Sequence, residues 1–136
     1  MSESRAEDVA AIRALLAASY RAWDAGDADG MVADYTADAT AIMTGSLRDS
    51  RDVIRQNMAL GFDGPLKGSS TCNKQLSLRF LGRDGAIVVS ESGILFAGET
   101  EVPDQRKVNA TWVLEKRDGQ WLIAAYHNSP VLAPAN

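Results

Sequence analysis

The chain has 136 residues, 46% hydrophobic and 24% charged, a composition that suits one folded domain (1–136) with its own core rather than disorder. Its net charge of −4, with basic residues scattered and no basic run longer than Arg106-Lys107 or Lys116-Arg117, argues against nucleic acid or an anionic membrane as partner. A single cysteine, Cys72, excludes an internal disulfide, and one Cys with one His cannot assemble the usual zinc ligands, so neither metal nor cofactor is expected.

The first eight residues lack the basic-then-apolar order of a signal peptide, and no later run approaches membrane-span length; a cytoplasmic protein is the expectation. Ser4 and Glu7 have capping-box spacing, which starts a helix near residue 5. Ile12, Leu15, Leu16, Ser19, Tyr20 and Trp23 then recur at three- and four-residue steps, and Gly26 is a natural stop. Asp27 caps a short second helix carrying Met31, Val32 and Tyr35. A β-prone piece, 40–44, follows. Asp49 or Ser50 caps a third helix through Val53, Ile54, Asn57, Met58 and Leu60, ending at Gly61.

Beyond Gly64-Pro65 the period changes to two. Leu76, Leu78 and Phe80 alternate with Ser77 and Arg79 as in a half-buried strand. Asp84-Gly85 turns into a strand over 86–96, a loop holding Pro103 leads to one over 106–117, and Asp118-Gly119 turns into the last, 120–131. The tail at 133–136 is expected to fray. Helices first and strands afterwards indicate an α+β domain. As two-residue turns, Asp118-Gly119 puts Lys116 opposite Trp121, Leu114 opposite Ile123, Trp112 opposite Ala125 and Ala110 opposite His127. Asp84-Gly85 puts Leu78 opposite Glu91 and Arg79 opposite Ser90. A one-residue bulge would swap these faces.

Helix, Gly26-Asp27, short helix, Tyr35 and Asp38-Ala39-Thr40, closed by Asp118-Gly119-Gln120-Trp121 and Tyr126-His127-Asn128-Ser129-Pro130, resembles the nuclear-transport-factor-2-like superfamily. That cone fold, which includes SnoaL-like polyketide cyclases, scytalone dehydratase and ketosteroid isomerase, implies a cone-shaped barrel: a curved antiparallel sheet with N-terminal helices covering its concave face. Within it the chain looks most like the SgcJ/EcaC group of enediyne and related polyketide biosynthesis. Alignment with the isomerase places Met43 at its catalytic base, Ser19 at its oxyanion-hole Tyr and Thr111 at its protonated Asp. None of these three side chains titrates in the range such chemistry needs, so that activity is not expected.

The resemblance also implies which residues face the cavity: Ser90, Ser92, Ile94 and Phe96; Asn109, Thr111 and Val113; Leu122, Ala124, Tyr126 and Asn128. With Trp23, Tyr35, Met43 and Met58 these form an apolar lining with a few neutral hydrogen-bonding groups, suited to a sizeable apolar small molecule. Expected ligand contacts are Trp23, Tyr35, Met43, Met58, Phe96, Asn109, Thr111, Tyr126 and Asn128. The remaining face, with Leu78, Phe80, Trp112, Leu114, Trp121 and Ile123, is expected to bury against a second copy in a homodimer. Its neighbour His127 is then a structural or interface residue, with catalysis as the other reading. Tyr35, Asp38, Tyr126 and His127 are the candidates for acid–base work, each with a structural alternative as core, turn or interface residue. The resemblance, with this lining, implies as the expected function a binding protein that holds an apolar polyene or polyketide intermediate, with a polyketide synthase as a further expected partner. A cyclase, dehydratase or isomerase is the alternative reading, and a dimeric association module the third.

Overall fold

Where the period-3.6 stripe ends and the period-2 stripe begins, the architecture changes as expected. The computed structural model describes the backbone of residues 3–132 and the side chains of residues 5–132, so the Ser4 cap and the 133–136 tail lie outside the described residues. Helix α1 spans Glu3–Asp24 and short α2 spans Ala28–Val32. Strands β1 (Tyr35–Met43) and β2 (Ser46–Arg48) precede helix α3 (Arg51–Phe62). Then come β3 (Ser70–Leu81), β4 (Gly85–Leu95), β5 (Val108–Arg117) and β6 (Gln120–Pro130).

Helix ends follow their sequence signals. Gly26, at φ +68°, takes the left-handed step that a non-glycine residue adopts at a cost. Around it Asp27 N–H bonds to the Ala22 carbonyl and Gly26 N–H to that of Trp23, the paired bonds of a Schellman stop. Asp27 Oδ1 accepts from Gly30 N–H at 2.9 Å, and Ser50 Oγ from Val53 N–H at 3.2 Å, capping α2 and α3. Tyr35 belongs not to α2 but to β1.

The strands form one six-stranded sheet in the order β2-β1-β6-β5-β4-β3. It is mixed rather than wholly antiparallel, since β1 runs parallel to β6, and it is curved but unclosed. The Asp118-Gly119 turn is the expected two-residue hairpin: Arg117 pairs with Gln120, and both turn residues have positive φ. The other tight turn is longer. Leu81 pairs with Gly85 and leaves Gly82, Arg83 and Asp84 as a three-residue loop, so Leu78 faces Val88 and Arg79 faces Ile87, not Glu91 and Ser90.

Two bulges decide which side chains face which way. In β3 the pairing passes from Gln75–Ser90 to Ser77–Val89, leaving Leu76 extra and half exposed. In β6 it passes from Leu114–Ile123 to Val113–Ala125, leaving Ala124 extra. Beyond Ala124 the parity inverts: Trp112 pairs with Tyr126, Thr111 with His127 and Ala110 with Asn128.

The most apolar sheet face is covered by the chain itself. Ile12, Leu15 and Leu16 of α1 join Leu114, Trp121, Ile123, Val88 and Trp112 in one buried cluster, with Leu78 and Phe80 packed against it. Of the six residues expected at a homodimer interface, Trp112, Leu114, Trp121 and Ile123 are therefore core, and Leu78 and Phe80 are partly buried against it. The physical reason is plain: a stripe and a face of equal apolarity in one chain bury each other first. Asp8 fixes the helix on the sheet, accepting from Trp121 Nε1 and Lys116 Nζ, each at 3.0 Å.

Candidate functional site

Beyond the core, the curl of the sheet keeps α1 and α3 from filling the concave face, and a cavity of about 420 Å³ remains. That volume lies within the ~300–1,000 Å³ of small-molecule sites. Its apolar wall comes from Trp23 of α1, Met31 of α2, Met43 of β1, Ile54 and Met58 of α3, and Ile94 and Phe96 of and beyond β4. Trp23 is held edge-on to Phe62, ring centroids 5.4 Å apart, and donates from Nε1 to Ser69 Oγ at 3.0 Å. It is core and cavity wall at once.

Seven of the nine expected ligand contacts line this cavity: Trp23, Tyr35, Met43, Met58, Phe96, Tyr126 and Asn128. Asn109 and Thr111 do not. They sit on the opposite face of the sheet, where Thr111 pairs with His127 and Val89, and Val113 and Leu122 share that face. The Ala124 bulge is the cause: Tyr126 and Asn128 can face inward together with Trp112, but not together with Thr111. His127 is exposed on the open face beside Ile42, away from the cavity. Asp38 is exposed as well, 4.0 Å from Arg117.

The cavity's hydroxyls differ in what they offer. Tyr35 is buried and bonds to Ser19, whose own Oγ donates to the Met31 carbonyl at 3.0 Å. Burial pushes its phenol far up from the usual range. Burial likewise pushes Tyr126 up to about 12, with the Asn128 bond working the other way. Asn128 Nδ2 donates to Tyr126 Oη at 2.8 Å, so Tyr126 keeps its own proton to give. Tyr20 is raised by burial as well, near Ser90, Ser92 and Trp112, whose buried side-chain polar atoms have no hydrogen-bond partner among the described residues.

Sequence reasoning missed two cations in the lining, Arg48 and Arg106, because neither belongs to a periodic pattern or motif. Arg106 stacks over Phe96 at 4.5 Å, pairs with Glu99 and donates to the Ile94 carbonyl at 3.1 Å, tying the loop after β4 to the cavity mouth. Arg48, on β2, donates to the Met58 thioether at 3.2 Å, and its Nε is buried without a partner. No carboxylate, imidazole or thiol is among the described residues that line the cavity. Nor do the described residues hold any group of three or more His, Cys, Asp or Glu able to bind a metal. No described helix is long and apolar enough to cross a membrane.

The family described as the SnoaL-like domain matches residues 12–134. A solved domain of unknown function with a cystatin-like fold, from Nostoc punctiforme, is 25% identical with a TM-score of 0.87, over 98% of this chain and 81% of that one. A nuclear-transport-factor-2-like protein with a cystatin-like fold from Novosphingobium aromaticivorans is 18% identical with a TM-score of 0.83, over 97% and 87%. A ketosteroid isomerase-like protein from Erwinia carotovora atroseptica is 20% identical with a TM-score of 0.74, over 93% and 98%. These likenesses speak for the fold. No curated protein matches the chain.

Proposed function

We propose that this chain, which belongs to the SnoaL-like domain family, is a binding protein that holds a largely apolar small molecule in its cavity. The observation that carries the reading is the lining itself: aromatic and methionine walls, tyrosine and asparagine hydrogen-bonding groups, and no side chain able to act as a base near neutral pH. Tyrosines raised as far as Tyr126 donate hydrogen bonds and do not abstract protons. Met43 and Ser19, at the positions that matter for ketosteroid isomerase, both line the cavity and supply neither base nor phenol. A polyketide, and within that class an enediyne, pathway is the setting we favour, on the resemblance of the Gly26-Asp27 and Tyr126-to-Pro130 segments to the SgcJ/EcaC group.

The alternative is a cyclase, dehydratase or isomerase that polarises a carbonyl. It draws on one observation, the Tyr126 hydroxyl in the cavity lining, which accepts from Asn128 and so retains its own proton to donate. Mass spectrometry of small molecules co-purifying with the protein, expressed beside a polyketide synthase, tests the binding reading. A retained polyene absent from a control purification is expected. Retention of the same compounds by a variant with the cavity filled, Ala41→Trp, would overturn it. Conversion of the compound on incubation would establish the alternative.

A further inference from the structure

We infer that Arg48 is an anion-recognition residue, so that the molecule held in the cavity is an apolar chain ending in a carboxylate or another anionic oxygen. This rests on the binding reading above and adds the charge of the ligand. Arg48 is the cation in the lining for which the described residues provide no acidic partner: Arg106 has Glu99, whereas Arg48 meets a thioether. A thioether is a weak acceptor, and a guanidinium has five N–H groups to satisfy. Burial disfavours the Arg48 charge, and the nearby Tyr35 phenol offsets this only in part. A partly buried cation whose Nε is shut away from water without a partner is costly, and a ligand carboxylate would supply the missing acceptors in the paired geometry guanidinium favours.

The neighbours fit the same chemistry. Tyr126 lines the cavity and lies level with Arg48 across Ala41 of β1; because its oxygen accepts from Asn128, it retains its own proton as a donor. Ile54, Met58 and Met43 line the same cavity and would pack along the chain of the ligand. A cationic head group would face Arg48 and no carboxylate, so ammonium ligands should be refused.

The test is a chain-matched series (decanoate, decanol and decylammonium) titrated against the intact protein, read by the fluorescence of Trp23 and Trp112 in the cavity wall. Wild type should hold decanoate roughly tenfold or more tighter than decanol, in line with a hydrogen bond to a charged group, and decylammonium weakest. Arg48→Met should bring the carboxylate-to-alcohol ratio near one while leaving decanol affinity in place, and Arg48→Lys should keep part of it. Decanol binding in each variant reports that the cavity is intact; should Arg48→Met lose it, Arg48→Gln replaces it in the same comparison. Equal wild-type affinities for decanoate and decanol, or an unchanged ratio in a variant that still binds decanol, overturn the inference and leave the binding reading standing. Failure of all three compounds to bind wild type overturns both.

Discussion

Asp8 is a single carboxylate on which helix and sheet converge. Its Oδ1 accepts from both Trp121 and Lys116, and those two hydrogen bonds hold its pKa below the ordinary carboxylate value, against a desolvation penalty. A depressed folded-state pKa contributes stability that is present above the unfolded value and is lost as pH falls through the folded one. Asp8→Ala should therefore cost about 1–2 kcal/mol near neutrality, because hydrogen bonds to a charged group are worth more than neutral ones but the site is partly screened. Urea midpoints measured at neutral pH and again well into the acid range check this. The gap between variant and wild type should close as Asp8 protonates, and a gap that persists would assign the loss to packing. The Tyr126 phenol has the opposite sign. Raised by burial to about 12, it contributes stability present below its unfolded value of about 10 and lost as pH rises toward 12. Tyr126→Phe should flatten that part of the alkaline unfolding curve, read by far-ultraviolet circular dichroism.

Elements were legible where their signals are local. The Gly26 stop, the Asp27 and Ser50 caps and the Asp118-Gly119 hairpin each rest on a few adjacent residues, and each is found as read. What the sequence did not mark is β2, three residues long, and the two bulges, because Leu76 and Ala124 are ordinary strand residues whose extra presence shows only against a partner strand. The site suffered accordingly. Helix-borne lining residues such as Trp23 and Met58 are legible from periodicity, Tyr126 and Asn128 from the resemblance, whereas Asn109 and Thr111 lie on the opposite face because one parity does not carry past Ala124. Arg48 stayed invisible because an isolated arginine on an unmarked strand carries no periodic signal. Deleting Ala124 should restore plain pairing and force a choice. Either Tyr126 and Asn128 turn out to the open face, or the strand slips and exposes Trp121 and Ile123. In the first case the close contact between the Trp112 and Tyr126 rings, now 4.4 Å between centroids, is lost; in the second it survives, and Trp121 gives up its bond to Asp8. Ring-to-ring nuclear Overhauser effects report the first and hydrogen exchange of the Trp121 indole N–H the second; survival of both in the deletion would mean that the bulge does not set the register of the cavity wall.

With the helices committed to one side, the other face of the sheet has no cover from the described residues. Ile87 and Val89 of β4, Val113 of β5, Leu122 of β6 and Ile42 of β1 lie there, none fully buried, Ile42 39% exposed, with Thr111 and His127 among them. A homodimer, expected from the sequence through Trp112 and Trp121, would have to form through this face instead, since those residues are buried beneath α1. An apolar centre ringed by Arg79, Glu91, Asn109 and Glu115 has the anatomy of a contact between copies, for which about 800 Å² per partner would be ordinary. Val113 is the residue to change, because it lies between Ile87 and Ala125 on the neighbouring strands and makes no part of the cavity. Val113→Asp would bury an unpartnered carboxylate on association, a penalty of about 3–5 kcal/mol and so roughly a hundredfold or more in dissociation constant. Sedimentation equilibrium should find wild type dimeric at micromolar concentration and Val113→Asp monomeric, with decanol affinity unchanged because the cavity lies on the other side of the sheet. A monomeric wild type would leave this face to solvent and end the dimer proposal, while a variant that loses decanol binding along with the dimer would mean that pairing shapes the cavity through the sheet.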